Sequence, residues 1–384
     1  MKIAIDIKSA LGDKTGKGVY AYNIVRELVK SGKEDEFLMY APKSEDPFVD
    51  ELAKLANVEV RVISSSGLKW HLDVYQDVMG LFSNGEVDAY FSPGSFIVSA
   101  LFYWTGLLSF GFKKTPESYI TVHDLVAFLY SDTHNKKAVF IEKLTLKSSL
   151  KGGKRIFAVS ENTAKDVMSR FGIPSEKIII TYNAVGENFI APNLSTIAAF
   201  REKYKLPKKY ILSLGTLVPR KNIQLTLKAF SLLCADSKFS KDIDLCIVGG
   251  DGWGDSQEFA LSEAAQNPRI HMLGYLPYEE LSCIYTGAEV FVYPSLYEGF
   301  GIPPLEAASM SCPVIVSNTS SLPEVVGDSV MQIDPNDAEA LAEAIKLLTS
   351  DIAKRKELIQ KGGENIKRFS WRKSAERILK TIKL

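Results

Sequence analysis

Hydrophobic and polar positions in the first half of the chain fall into short apolar runs separated by stretches with helical spacing. Lys2 to Ile7 reads as a strand, about Val19 to Val29 as a helix, and Phe37 to Tyr40 and Val58 to Ile63 as further strands. The beat continues with strands at Val87 to Phe91, Ser118 to Val122, Arg155 to Val159 and Lys177 to Thr181, with helical patterns between several of them. Strand and helix in regular succession predict βαβ units, and one parallel sheet accounts for them.

From Asn183 to Pro207 polarity is mixed and alternation fades through an A-P-N turn and a K-L-P-K-K segment, so a linker is expected there. The rhythm restarts with strands at Tyr210 to Leu214, Asp244 to Val248, Arg269 to Met272, Val290 to Val292, Val314 to Val316 and Val330 to Ile333, which predict a second doubly wound sheet. Gly362-Gly363 reads as a break, and after it Ser370 to Leu384 forms an amphipathic helix with Trp371, Ala375, Ile378 and Leu379 available to pack. The expected architecture is α/β, with two Rossmann-like domains over residues 1–190 and 191–369 and the helix 370–384 crossing back to the first. Ligands of open α/β sheets bind beyond the carboxyl ends of the strands, so two such sheets facing each other would enclose the site in a cleft.

Length and composition agree with this division: 384 residues, 46% of them hydrophobic, can bury two cores. Lys plus Arg and Asp plus Glu both number 46, so the chain has no overall field to draw in a nucleic acid, and any anion site must be local. Cys234, Cys246, Cys283 and Cys312 form no C-x-x-C pair, which argues against a zinc site or a disulfide framework. Met1 to Ile7 enters a strand pattern directly, without the features of a signal peptide, so a cytoplasmic protein is expected. Residues 95–114 are apolar and aromatic but are broken by Gly106 and Gly111 and closed by Lys113 and Lys114. The stretch is a poor membrane span. Three roles are open to it: a core element, a groove for a lipid acceptor, or a peripheral patch whose lysines meet anionic head groups.

The strongest chemical signal is Glu298-G-F-G-I-P-P-L-Glu306, with the first carboxylate in a glycine-rich turn after a strand and the second on a helix opening near Pro303. Gly299 and Gly301 let the backbone approach a ligand, amides at a helix start favour an anion, and a carboxylate one turn in can accept sugar hydroxyl protons. A plain strand-to-helix loop with a capping glutamate would explain Glu306 but leaves Glu298 and the two glycines unexplained. The second signal is Leu214-G-T-L-V-P-R-K-N, where a strand ends in a glycine and a proline turn is followed by adjacent Arg220 and Lys221 before a helix. Those cations suit phosphates, whose charge grows as a diphosphate leaves; a solvated basic pair is the alternative.

Two other patterns imitate known sites. Gly16-K-Gly18-V-Y-Ala21 fits a dinucleotide fingerprint, but it starts well past the strand end at Ile7, and no acidic residue follows the next strand. Asp242-I-Asp244 has the spacing of a metal-held diphosphate site, yet it precedes its strand, so solvated surface carboxylates and no metal are expected.

Together these segments resemble glycosyltransferase family 4, a group of retaining GT-B enzymes with the signature Glu, seven residues, Glu. The likeness covers nearly the whole chain, through G-T-L-V-P-R-K-N, I-V-G-G-D-G-W at 247–253, L-G-Y-L-P at 273–277, the run from Tyr293 through Val326, and, earlier, T-G-K-G-V-Y-A-Y-N, T-V-H-D at 121–124 and A-V-S-E-N-T at 158–163. The resemblance implies that Glu306 binds the donor ribose hydroxyls and Glu298 the transferred sugar, with Gly299, Phe300, Gly301 and Ile302 around them. Gly215, Thr216, Arg220 and Lys221 would hold the diphosphate, Leu276 would lie at the base, His123 at the donor sugar and reaction centre, and Gly16 and Gly18 in the loop that closes near the phosphates. Thr216 replaces an Arg found in many relatives and belongs to the form that relies on the Arg-Lys pair. His71, His134 and His271 have no family counterpart, and surface or core placement is expected for each.

The function so implied is metal-independent transfer, with retention, of a sugar from a nucleotide-diphosphate donor to a glycan or lipid-linked acceptor. The donor is a substrate, no cofactor is expected, and the motif forms resemble those of mannosyltransferases that use GDP-mannose, with UDP-sugars the open alternative. Two rivals are a nucleotide-sugar epimerase of the same architecture and a non-catalytic nucleotide-sugar-binding protein.

Overall fold

A computed structural model of the chain describes all residues except 13–15, 110, 112, 131–135, 188, 251 and 253–255, with only the backbone at 136–138. His134 and Trp253 therefore lie outside the described residues. The described chain divides into two compact units, one running from Met1 to Asn183 and taking in Ser370–Leu384, the other Ala184–Phe369.

The first unit is built on seven parallel strands: β1 (Lys2–Asp6), β2 (Glu36–Ala41), β3 (Val58–Val62), β4 (Ala89–Ser92), β5 (Glu117–Val122), β6 (Arg155–Ala158) and β7 (Ile178–Ile180), in the order β3-β2-β1-β4-β5-β6-β7. Helices cover both faces, so the central strands are buried on both sides; Ile3, Ala4 and Ile5 are all 0% exposed. The chain steps outward from β1 to β3, then returns to the other side of β1 at β4, so strand order reverses between β1 and β4.

The second unit repeats the plan with β8 (Lys209–Leu214), β9 (Ile243–Val248), β10 (Ile270–Gly274), β11 (Val290–Tyr293), β12 (Val314–Ser317) and β13 (Met331–Ile333), all parallel, in the order β10-β9-β8-β11-β12-β13. Its reversal falls between β8 and β11. In open sheets of this kind that crevice is where ligands bind.

The final helix, Trp371–Ile382, starts at Ser370, whose side chain accepts from Lys373 N–H, and buries Trp371, Ala375, Ile378 and Leu379. It belongs to the first unit. Ser374 Oγ donates to the Tyr182 carbonyl at 2.7 Å, and Trp371 meets Tyr20 edge-on at 5.8 Å.

Two expectations are corrected. The Gly362-Gly363 pair lies inside the helix Ile352–Asn365 and does not end it; Gly362 is there because a Cβ would stand 3.2 Å from that of Ala308, so only a small residue lets the two helices approach. The supposed linker contains the helix Leu194–Lys203, started by Asn193, whose side chain accepts from Thr196 N–H at 2.8 Å. Within residues 95–114 a helix spans Ile97–Leu108, burying Val98, Ala100 and Phe102 while leaving Leu107 and Leu108 61% and 79% exposed. No helix among the described residues is long and apolar enough to cross a membrane.

Candidate active site

At the reversal of the second sheet, the segments that follow β8 and β11 meet. After β8 the chain turns through Gly215, at φ +149°, into the short turn Pro219–Lys221, and Asn222 in the left-handed conformation then starts the helix Ile223–Ala235. Gly215 packs on the Lys221 stem, and a Cβ at Gly249 on the neighbouring strand end would collide with the Gly215 carbonyl, so both must be glycine. Asn222 Nδ2 donates to the carbonyls of Pro294 and Pro335, which ties the turn to the segments after β11 and β13. A cleft lined by Gly215, Thr216, Lys221, Ile247, Tyr293 and Pro294 opens here.

Glu298 is the hub. Its Oε1 accepts from Arg220 Nη1 at 2.8 Å, Lys221 Nζ at 2.6 Å and the Tyr293 hydroxyl at 3.0 Å, and Lys221 also donates to Tyr293. Burial alone would push this carboxyl up; Lys221 and Arg220 overcome it and hold it below the ordinary glutamate value. The two cations expected to hold a diphosphate are thus already neutralised in part by a carboxylate 8% exposed. The loop itself is latched by serines: Glu298 N–H donates to Ser320 Oγ at 3.1 Å, and Ser321 Oγ donates to the Glu298 and Phe300 carbonyls at 2.9 Å. Gly301, at φ +96°, leads into the helix Ile302–Ser309 with prolines in its first turn. Gly299, Phe300 and Ile302 are buried around it.

Glu306 sits apart from this cluster, 3% exposed, and does not cap its helix. The Tyr285 hydroxyl donates to its Oε2 at 3.3 Å, while Tyr278 stands by without closing a hydrogen bond, and Phe189 packs against both tyrosine rings. Burial pushes the Glu306 carboxyl up to about 7 against the pull of Tyr278 and Tyr285. Leu276 is buried at 3%, whereas Thr216 is exposed.

The first unit carries the other expected residues. His123 follows β5, 7% exposed, with Nε2 at 2.6 Å from the Pro93 carbonyl and the Tyr20 ring edge-on at 4.8 Å. A carbonyl only accepts, so Nε2 carries the proton and Nδ1 is the basic nitrogen. Burial, helped by Lys17, pushes the imidazole down to about 4, so it is neutral at physiological pH. Gly16 opens the helix Gly16–Ser31 and is exposed, while Gly18, two residues on, is buried.

The structure thus joins Gly215, Arg220, Lys221 and Glu298 directly and sets Glu306 in its own aromatic pocket. Sequence reasoning passed over Tyr293, Tyr278, Tyr285, Ser320 and Ser321. Tyr293 closes the strand five residues before Glu298 and was open to the same strand-end argument; the others come from separate segments with no local signal. Asp244 is corrected: it is a half-buried partner of His271, at 2.8 Å, and of Arg269, at 3.4 Å, and is not a solvated carboxylate. Among the described residues no group of three or more His, Cys, Asp or Glu side chains is placed to share a metal ion.

Two family profiles match the chain. The one described as Glycosyltransferase Family 4 covers residues 15–189, and the one described as Glycosyl transferases group 1 covers 196–365. The O-antigen chain mannosyltransferase B of Escherichia coli is 35% identical over 266 residues, 69% of this chain and 69% of that protein. A serotype-specific mannosyltransferase, WbdA, of the same organism is 31% identical over 260 residues, 66% of this chain but 32% of that longer protein. Among solved structures, a sucrose-phosphate synthase from Thermosynechococcus elongatus superposes with a TM-score of 0.74 at 19% identity, over 100% of this chain and 98% of that one, which speaks for the fold.

Proposed function

Because the chain belongs to glycosyltransferase family 4, we propose that this glycosyltransferase moves mannose from GDP-mannose to a hydroxyl of a glycan or lipid-linked saccharide, without a metal ion and with retention of configuration. The observation that carries this reading is the meeting of Arg220 and Lys221 on the Glu298 carboxylate at the crevice between β8 and β11. A donor diphosphate entering there competes with Glu298 for two cations already aimed at one point, and Glu298, relieved of them, is positioned to accept from the sugar hydroxyls. In the transfer, the bond from the sugar C1 to the diphosphate oxygen breaks, the acceptor oxygen bonds to C1 from the same face, and the acceptor proton leaves with the diphosphate. Arg220 and Lys221 take up the charge that appears on the leaving oxygen, the part a metal ion plays elsewhere.

Mannose is supported by the mannosyltransferases among the relatives. In this reading Glu306, which accepts from Tyr285, takes the ribose hydroxyls, and neutral His123 meets the transferred sugar at the reaction centre. The exposed Leu107 and Leu108, followed by Lys113 and Lys114, support peripheral contact with an anionic membrane at the cytoplasmic face, where a lipid-linked acceptor would be met.

The test is to incubate GDP-mannose, UDP-glucose and UDP-N-acetylglucosamine separately with the protein in EDTA and follow the anomeric proton. Slow release of GDP with α-mannose as the first product is expected. A β product, a need for divalent metal, or release of an altered sugar nucleotide, as an epimerase would give, overturns the proposal.

A further inference from the structure

The segment from Pro294 to Phe300, which carries Glu298, is held almost carbonyl by carbonyl. Asn222 Nδ2 donates to the Pro294 carbonyl at 3.2 Å, the Ser317 and Thr319 hydroxyls to that of Ser295, and Thr319 also to that of Leu296 at 3.3 Å. Arg220 Nη1 donates to the Tyr297 carbonyl at 3.1 Å, Ser320 Oγ to that of Glu298 at 2.6 Å, and Ser321 Oγ to those of Glu298 and Phe300 at 2.9 Å. These ties are of two kinds. The cationic ones come from Arg220, which also pairs with the Glu298 carboxylate, and from Lys221, which pairs with that carboxylate alone of the two groups. The neutral ones on residues 295–300 come from hydroxyls of a single run, Ser317-Asn318-Thr319-Ser320-Ser321, at the end of β12 and directly after it.

Ser320 differs from the rest of that run in its backbone. Its φ is +57°, a left-handed value that residues other than Gly, Asn and Asp seldom adopt, and such an outlier points to a demand on the side chain. The demand is visible in the hydrogen bonds. The one oxygen accepts from the Glu298 N–H at 3.1 Å and donates to the Glu298 carbonyl at 2.6 Å, so it closes on both sides of the residue that carries the carboxylate. A hydroxyl does both from a single atom. Glycine would suit the backbone better but has no such group.

We propose that Ser320 is a positioning residue for Glu298, which keeps the backbone of that glutamate in place when the donor diphosphate draws Arg220 and Lys221 off its carboxylate. The inference rests on the transferase reading, in which the diphosphate competes for those two cations. A phosphate binds a guanidinium and an ammonium through charge-assisted hydrogen bonds, whereas a neutral hydroxyl already bonded on both sides gains little from it. Donor binding therefore loosens the cationic ties and spares the neutral ones. With nothing bound, the cations hold the loop and the hydroxyl is redundant. Once they turn to the diphosphate, the hydroxyl decides where Glu298 stands.

Hydrogen exchange of the peptide over residues 294–300 tests this without a nucleotide, since Lys221→Ala removes one cationic tie as the donor would. The full chain is compared as wild type, Ser320→Gly, Ser320→Ala and Lys221→Ala, and with Lys221→Ala combined with each serine variant. Exchange is expected to stay within about twofold of wild type in each single variant and to be about tenfold faster in the combinations. Ser320→Gly should melt cooperatively and close to wild type, because glycine suits the left-handed backbone; if it does not fold, Ser320→Ala decides. Exchange in the combinations no faster than in Lys221→Ala overturns the assignment. So do serine variants that alone exchange as fast as the combinations, because Ser320 would then be a static contact. GDP-mannose turnover, run alongside, is expected to fall about tenfold in kcat in Ser320→Gly with KM held, and an unchanged kcat overturns the positioning role. Wild type that releases no GDP sinks the transferase reading and leaves the exchange result to decide the latch on its own.

Discussion

Glu298 neutralises Arg220 and Lys221 at one atom, and the proposed function gives the same carboxylate a second job, to accept from the donor sugar. Glu298→Gln separates them. Without the carboxylate charge the two cations lose a partner, and stability is expected to fall by about 1–3 kcal/mol. GDP, no longer competing with a glutamate, is expected to bind as tightly as before or tighter by calorimetry, while turnover falls about a hundredfold or more. GDP affinity that fell with turnover would mean that Glu298 holds the nucleotide itself. Glu306 gives a pH signature. Its carboxyl is raised to about 7 in the folded chain from an ordinary 4.5, so the folded form holds the extra proton, and the stability it brings is full below about 4.5 and is lost as pH climbs through 7. Melting of wild type and Glu306→Gln should therefore run together near pH 4 and diverge as pH climbs toward 7, wild type losing stability, and GDP-mannose affinity should rise through pH 7 in wild type only. At this scale the sequence disclosed the two glutamates, the cation pair and their glycines, since short motifs encode them. The tyrosines around the glutamates were not legible, because Tyr285, which donates to Glu306, and its neighbour Tyr278 come from a separate segment that only folding brings near.

Helices show where composition misleads. Two glycines in a row read as a break, yet the helix Ile352–Asn365 runs through them because Gly362 faces Ala308 at close range. Gly363 faces open space. The pair should therefore respond oppositely: Gly362→Val is expected to cost about 1–3 kcal/mol through overpacking, and Gly363→Ala to stabilise by roughly 0.5–1 kcal/mol. Equal melting shifts for both would contradict the packing argument. Asn193 taught the reverse lesson, a turn residue that is in fact a helix cap. The strands were legible throughout, because a parallel sheet buried on both faces writes itself as runs such as Ile3-Ala4-Ile5 and Val290-Phe291-Val292-Tyr293. The final helix was legible too, since Trp371, Ala375, Ile378 and Leu379 follow helical spacing on an otherwise charged segment.

At the scale of the molecule, the chain returns to its first unit through that helix, so residues at its end stabilise its beginning. Trp371→Ala is expected to cost about 3–5 kcal/mol and to do so in the first unit: hydrogen exchange should speed across β1, β5 and β6, while β8, β9 and β11 keep their protection. Uniform loss in both units would contradict the division. Each sheet carries its own strand reversal, β1 beside β4 in one and β8 beside β11 in the other, and the second sets Lys221 and Glu298 together there. The most direct measurement of the central claim is calorimetric titration of GDP-mannose in EDTA against wild type and Lys221→Ala. The account predicts one site in wild type and affinity weakened about tenfold to a hundredfold in the variant, the loss of a charge-assisted contact. Equal affinity in the two proteins, or binding only when a divalent ion is added, would contradict it.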